Sequence, residues 1–154
     1  MSINNDKRRL NVLAVIHARG GSKRIPNKNI KLLCGKPLIT YCIKAALSSS
    51  YLDKVVVSTD SEAIKQIASD AGAEVPFTRP DDLAEDVASE LVTKHALITM
   101  EEIDGLSYDI VVTMQPTTPF ILKADIDACI EQLVQYEFQH HIQQQHVLQI
   151  DLRM

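Results

Sequence analysis

Leu10 to Asn29 reads LNVLAVIHARGGSKRIPNKN. Its first eight residues form a short apolar, β-branched run, and Gly20-Gly21-Ser22 follow almost at once, so the stretch predicts a buried strand that ends in a loop. Working outward, Pro37 to Ser49 carries Leu38, Ile39, Cys42, Ala45 and Ala46 at helical spacing, with Pro37 where a first helical turn tolerates it. Lys54 to Ser58 (KVVVS) predicts a second buried strand, and Thr59-Asp60-Ser61 offers capping side chains for a helix over Glu62 to Ala71 that stops at Gly72. Ala73 to Phe77 reads as a third strand, Thr78 to Asp86 as a polar, acidic loop, and Val87 to Ile103 as a helix. Asp109 to Met114 (DIVVTM) is a fourth strand, followed by the loop Gln115 to Phe120 and a helix over Leu122 to Tyr136 with Asp125 and Asp127 in its first turns. Strands alternating with helices imply an α/β fold, a three-layer Rossmann-like and mostly parallel sheet that receives ligands at the carboxyl ends of its strands.

The length of 154 residues suits one core and is too short for two. Three stretches are expected: a flexible N-terminus over residues 1–9, one ordered domain over 10–137, and an atypical tail over 138–154. The tail, FQHHIQQQHVLQIDLRM, follows neither helical nor strand spacing and reads as disordered or non-native. It holds His140, His141 and His146, but adjacent histidines cannot both face one metal from a regular element, and no carboxylate or cysteine set accompanies them. Tryptophan is absent and aromatics are few, which fits an α/β layer protein better than an aromatic-rich sandwich. No run approaches the roughly 20 apolar residues that span a bilayer, and Met1 to Arg9 has no apolar signal-peptide core, so a cytoplasmic location without membrane attachment is expected. Cys34, Cys42 and Cys129 are odd in number and lack CxxC spacing, which reads as reduced, mostly buried thiols.

Charge is distributed unevenly. Nine of the 16 Lys and Arg lie in the first 36 residues against a single acid, Asp6, so the N-terminal segment suits an anionic ligand. A pI near 5.7 and the lack of basic-aromatic interleaving argue against nucleic acid as that ligand. Within the segment, Gly20 and Gly21 permit positive φ and close backbone approach, so successive amides could form an anion nest, and Arg19, Lys23 and Lys28 add charge. On glycine and charge content alone, a solvated basic loop explains the stretch as well as a polyphosphate site does. The loop contains neither G-x-x-x-x-G-K-[ST] nor G-x-G-x-x-G, so neither a P-loop ATPase nor a Rossmann dinucleotide enzyme is indicated.

Five segments in order carry a sharper signal: A-R-G-G-S-K-R-I-P-N-K-N at Ala18 to Asn29, G-K-P-L-I at Gly35 to Ile39, V-S-T-D at Val57 to Asp60, R-P-x-x-L-A-x-D at Arg79 to Asp86, and Q-P-T-T-P at Gln115 to Pro119. Together they resemble the signature of the cytidylyltransferases that activate sialic acid and related nonulosonic acids, over roughly Leu10 to Tyr136. The resemblance implies a sheet of the nucleotide-diphospho-sugar transferase type that binds CTP and Mg2+. On it the anomeric hydroxyl of a nonulosonic acid attacks the α-phosphorus, and a CMP-sugar and pyrophosphate result. It further implies that Arg19, Lys23 and Lys28 cradle the triphosphate, with Ala18, Gly20, Gly21 and Ser22 in the same loop. Arg19 and Lys28 would act on charge developing at the transferred phosphoryl group. Asn29 would contact the nucleotide, Arg79 and Gln115 would place base, ribose or sugar, and Ala88-Ser89 would line the cytosine pocket, with backbone carbonyls near His17 and Ala18 selecting the base.

Plainer roles stay open beside these. Arg79 has acidic neighbours to pair with, Gln115 is placed to cap a strand, and Asp60 reads as an N-cap as readily as a ligand. His17 stands where the resembled family has a small or apolar residue and reads as a tolerated substitution at a strand end. Ile121 stands where many members carry an arginine after Q-P-T-T-P, which leaves the sugar acid open. The family's chain continues well beyond this length, with aspartates for Mg2+ and an excursion that joins two subunits, so truncation or a frameshift near residue 138 is expected, the metal ligands are unknown, and the usual homodimer would lack its joining segment. Two alternatives accompany the main reading: a nucleotide-binding fragment without turnover, and another nucleotidyltransferase of the same fold, such as the 3-deoxy-octulosonate or molybdopterin type.

Overall fold

The computed structural model describes residues 9–85, 87–140 and 145–149, apart from the side chains of Phe138 and His140. The expected flexible N-terminus up to residue 8, Asp86, His141 and residues 150–154 lie outside the described residues.

The strands β1 (Val12–His17), β4 (Lys54–Ser58), β5 (Ile110–Met114) and β6 (His146–Gln149) form one sheet in the order β4-β1-β5-β6, and every pairing in it is parallel. A small antiparallel pair, β2 (Leu32–Leu33) and β3 (Lys36–Pro37), lies outside it. Between these come α1 (Leu38–Ser48), α2 (Glu62–Asp70), the single turn α3 (Asp81–Ala84), α4 (Ser89–Asp104) and α5 (Lys123–His140).

The apolar strands are continuous runs because both faces of the sheet are covered. Val12, Ala14 and Ile16 of β1, Val55 and Val57 of β4, and Ile110, Val112 and Met114 of β5 share one core with Ile39, Cys42 and Ile43 of α1, Ile64 and Ala68 of α2, and Ile126 and Ile130 of α5. The alternate residues Leu13, Val15, Val56 and Val111 pack against Ala96, Leu97 and Met100 of α4. This period-two division yields three layers, and each large aliphatic side chain buried in them contributes roughly 1.5–3 kcal/mol. Cys42 is buried, Cys129 is partly so, and Cys34 is exposed in the β2–β3 turn, where it adopts φ 49° ahead of Gly35 at φ 78°.

Three features depart from the sequence reading. Ala73 to Phe77 is not a strand: Glu74 alone bridges Val56, and Pro76 has no N–H with which to extend the ladder. A helical turn, α3, occupies the expected loop, and α4 starts at Ser89 rather than Val87. The tail also contributes structure, since α5 runs to His140 and β6 pairs with β5 from Ile110↔His146 to Thr113↔Gln149. His146 Nε2 contacts Glu137 of α5, so among the described residues it is tied to a carboxylate; the other two histidines of the metal alternative fall outside the description, wholly for His141 and in its side chain for His140.

Candidate active site

Register decides where a ligand can sit. His17 pairs with Ser58 and Ile16 with Met114, so β1, β4 and β5 finish abreast and their following loops open from one edge. A cleft of about 240 Å3 occupies that edge, lined by His17, Arg19, Ser22, Lys28, Asn29 and Arg79, by Leu83, Glu85 and Val87 around α3, by Ser89 and Val92 of α4, and by Gln115, Pro116 and Thr117 after β5. It is smaller than the roughly 300–1,000 Å3 common for small-molecule sites.

The basic loop is fastened from beneath at several points. Buried Asn29, in the short 3-10 turn Lys28–Ile30, donates its side-chain amide to the Arg19 carbonyl at 2.9 Å. The turn starts from Asn27 in the left-handed region, φ 52°, a conformation asparagine tolerates better than most residues. Gly20 donates its backbone N–H to Asp60 Oδ1 at 2.7 Å. Neither Gly20 nor Gly21 takes a positive φ. Gly20 is required for a different reason, because a Cβ there would stand 2.9 Å from the Ser61 Cβ. Asp60 is therefore a loop anchor, and the N-cap of α2 is Ser61, whose hydroxyl accepts the Ile64 N–H.

Arg79 is 4% exposed. Its Nε donates to Ser58 Oγ at 3.1 Å and an Nη to the Ser58 carbonyl at 2.7 Å, while its backbone N–H reaches the Thr59 carbonyl at 2.8 Å. Burial pulls its pKa down to about 10; Asp60 opposes that shift and Arg19 adds to it. The side chain thus stays cationic at neutral pH, and an anion placed between the two guanidiniums would relieve their repulsion.

His17 lies on the α4 side of β1. Its Nε2 is 3.1 Å from the Thr93 hydroxyl of α4, which is 3.2 Å from the Thr113 hydroxyl of β5. Burial, and secondarily Arg79, lowers its pKa from 6.5 to about 4, so the ring is neutral across the physiological range.

Of the residues the sequence singled out, Arg19, Ser22, Lys28, Asn29, Arg79, Ser89 and Gln115 come together in the cleft. Ala18, Gly20, Gly21, Lys23 and Ala88 do not line it. Ala18 is fully buried with its N–H on the Ser58 carbonyl, and Ala88 is exposed just ahead of α4 with its carbonyl accepting the Leu91 N–H. Leu83, Glu85, Val87 and Val92 line it without having been singled out as site residues, as do Pro116 and Thr117 of the Q-P-T-T-P motif, and His17 lines it although only its backbone carbonyl was given a role. Leu83, Val87 and Val92 belong to α3, the segment after it and α4, so no single periodicity in the sequence marks them as one wall. Asp125 and Asp127 serve elsewhere: Asp125 accepts the Leu122 N–H, and Asp127 accepts from Ser49 Oγ and the Ser50 N–H. Ile121 is buried in the core.

Among the described residues Glu85 is the one carboxylate on the cleft wall, and no three His, Cys, Asp or Glu side chains gather as a metal site. One carboxylate does not make an all-protein cage for Mg2+, but an ion that arrives with a triphosphate takes only one or two carboxylates from the protein, and Glu85 is placed to be one of them.

A sequence profile of the family described as cytidylyltransferase matches residues 13–150. The chain is 47% identical over 111 residues to the CMP-N,N'-diacetyllegionaminic acid synthase of Legionella pneumophila, covering 72% of this chain and 48% of that protein. It is 41% identical over 123 residues to the pseudaminic acid cytidylyltransferase of Campylobacter jejuni subsp. jejuni, covering 80% and 53%. The solved structure of CMP:2-keto-3-deoxy-manno-octonic acid synthetase complexed with CTP superposes with a TM-score of 0.66 at 26% identity, covering 81% of this chain and 48% of that one. The chain spans about half the length of the curated relatives it matches. With a parallel α/β sheet, a basic loop fastened at its carboxyl edge and a profile match over nearly the whole described chain, this protein belongs to the cytidylyltransferase family.

Proposed function

We propose that the cleft binds CTP and that the protein transfers CMP to the anomeric hydroxyl of a nonulosonic acid of the sialic, legionaminic or pseudaminic kind, releasing pyrophosphate. The observation that carries this reading is the convergence of Arg19, Lys28 and Arg79 on one small cleft at the carboxyl edge of β1. Arg19 and Lys28 sit on the exposed side, where a triphosphate has room, and they neutralise charge that grows on the transferred phosphoryl group and the departing pyrophosphate. Lys23, exposed on the same loop, adds to the field that draws the nucleotide in. Leu83, Val87 and Val92 offer an apolar wall for the base and ribose, and Ser89 and Gln115 supply polar groups beside it. The sugar hydroxyl forms the new bond to the α-phosphorus as the bond to the bridging oxygen breaks, and its proton leaves to solvent. No step is assigned to Mg2+; the ion enters this reading as a companion of the triphosphate, held by phosphate oxygens and water.

The relatives named for legionaminic and pseudaminic acid support the nonulosonic branch, and the octonic acid synthetase shows that a neighbouring sugar-acid chemistry uses the same fold. A second reading, nucleotide binding without turnover, is favoured by Glu85 being the one carboxylate that lines the cleft among the described residues. The reading includes work in the cytoplasm, where CTP is available; no helix among the described residues is long and apolar enough to cross a membrane.

The test is calorimetric titration with CTP, ATP and GTP in the presence of Mg2+, followed by pyrophosphate release with N-acetylneuraminic, legionaminic and pseudaminic acids. A clear preference for CTP with release on one of the acids is the expected result. CTP binding without release from any acid would select the second reading, and no binding of any of the three nucleotides would remove both.

A further inference from the structure

The cleft holds one group that the phosphate chemistry does not use. His17 is at the floor, where β1 ends, and its hydrogen bond runs through Nε2 to the Thr93 hydroxyl, which in turn meets Thr113. Among the described residues Nδ1 has no hydrogen-bond partner, and it is not one of the buried atoms shut away from the cleft. We propose that the His17 side chain reads the polar edge of the nucleobase through Nδ1, with Thr93 and Thr113 fixing the plane of the ring.

Three features of the surroundings point to a base rather than a phosphate. The imidazole is uncharged, because burial and the nearby Arg79 both oppose its protonation. The anion-binding groups Arg19 and Lys28 belong to the loop after β1, while Val87 and Val92 flank the floor on the α3–α4 side. The cleft is also small, which suits a one-ring base better than a purine. The threonine pair gives the arrangement its versatility. When Nε2 accepts the Thr93 O–H, Nδ1 carries the proton and donates; when Nε2–H donates to Thr93, whose hydroxyl then turns to Thr113, Nδ1 accepts. Either setting of the hydroxyls leaves one polar atom aimed at a heterocycle that carries both acceptors and an amino donor.

This inference rests on the CTP reading, and the experiment separates the two. Affinities of the full chain for CTP, ATP and inorganic tripolyphosphate are measured for the wild type, His17→Leu, His17→Gln and Thr93→Val, with a thermal melt of each. His17→Leu should weaken CTP about tenfold, the order of one hydrogen bond, and leave tripolyphosphate unchanged. His17→Gln should recover part of the loss, and Thr93→Val should fall between Leu and wild type because the ring is kept but no longer held. His17→Leu or Thr93→Val proteins that melt normally and bind CTP as the wild type does would overturn the role of His17 while leaving the CTP site intact. Should His17→Leu fail to fold, Thr93→Val decides alone, since it removes a hydroxyl at constant shape. A wild type that binds CTP no better than tripolyphosphate would overturn both the reading and this inference.

Discussion

The two sides of the cleft are built on different principles. On the loop side, Arg19 and Lys28 are half exposed on a segment fastened by one amide of Asn29 and one amide of Gly20. On the floor, Arg79, His17, Thr93 and Thr113 are held by each other and by Ser58, and Arg79, Thr93 and Thr113 are buried. The loop side presents charge that is half exposed to solvent. The floor presents polar groups that are mostly paired within the protein already, the His17 Nδ1 excepted. Substitutions on the loop should therefore change turnover with little effect on stability, and substitutions on the floor should do both or chiefly the latter.

The largest effect that would sharpen this contrast is on the loop. Arg19→Ala and Lys28→Ala should each lower the rate of pyrophosphate release by about 10²–10³ with the melting temperature almost unchanged; a melt that falls in step with the rate would erase the distinction between the two sides.

Next comes pH, which acts on the floor. His17 has a folded pKa depressed from 6.5 to about 4, so the unfolded chain binds more protons in that interval. The stability contribution is complete above about pH 6.5, falls as pH drops through the window, and changes no further below about pH 4, for a total of roughly 3 kcal/mol. Denaturant melts at pH 7.5, 6 and 5 should show the decline, and His17→Leu should flatten it. A wild-type profile without slope there would mean the ring is better solvated than its surroundings imply.

Arg79→Met should then cost about 1–3 kcal/mol in a urea melt, because the Ser58 carbonyl and hydroxyl lose a buried donor. Equal stability with lost CTP binding would move Arg79 to the loop class. The smallest expected effect is Asn29→Ala, which loosens the loop by one hydrogen bond of about 1 kcal/mol; CTP affinity should fall several-fold, read by calorimetry.

Much of the floor was hidden from the sequence for the same physical reason that the loop was legible. Arg19, Ser22, Lys28 and Asn29 are near neighbours in the chain, and glycine and charge in one short segment announce a binding loop. The floor is assembled by register: His17, Thr93 and Thr113 are far apart in sequence, and only the abreast endings of β1 and β5 with α4 packed across them make one network. A histidine at a strand end is uninformative until its partners are known. The strands show the same rule. KVVVS was legible to the residue because both its faces are buried, whereas Ala73 to Phe77 has strand formers only in Val75 and Phe77 and a proline between them that denies the backbone its ladder. At β6, four residues with His146 and Leu148 turned inward are too few to display a period, and its glutamine-rich surroundings conceal that β5 has an edge to fill.

The position of β1 has a kinetic consequence. It comes first in chain order among the described strands of the sheet and has a neighbour on each side, yet those neighbours are Lys54–Ser58 and Ile110–Met114. Its apolar run must wait through synthesis of about a hundred residues before both edges are satisfied, at roughly 5–20 residues per second. Non-local pairing of this kind slows folding and prolongs exposure to aggregation. The cleft, resting on the carboxyl end of that strand, is complete only after β4 and β5 have both closed on it, so the nucleotide proposed to bind there would find its site late in synthesis and not while β1 stands alone.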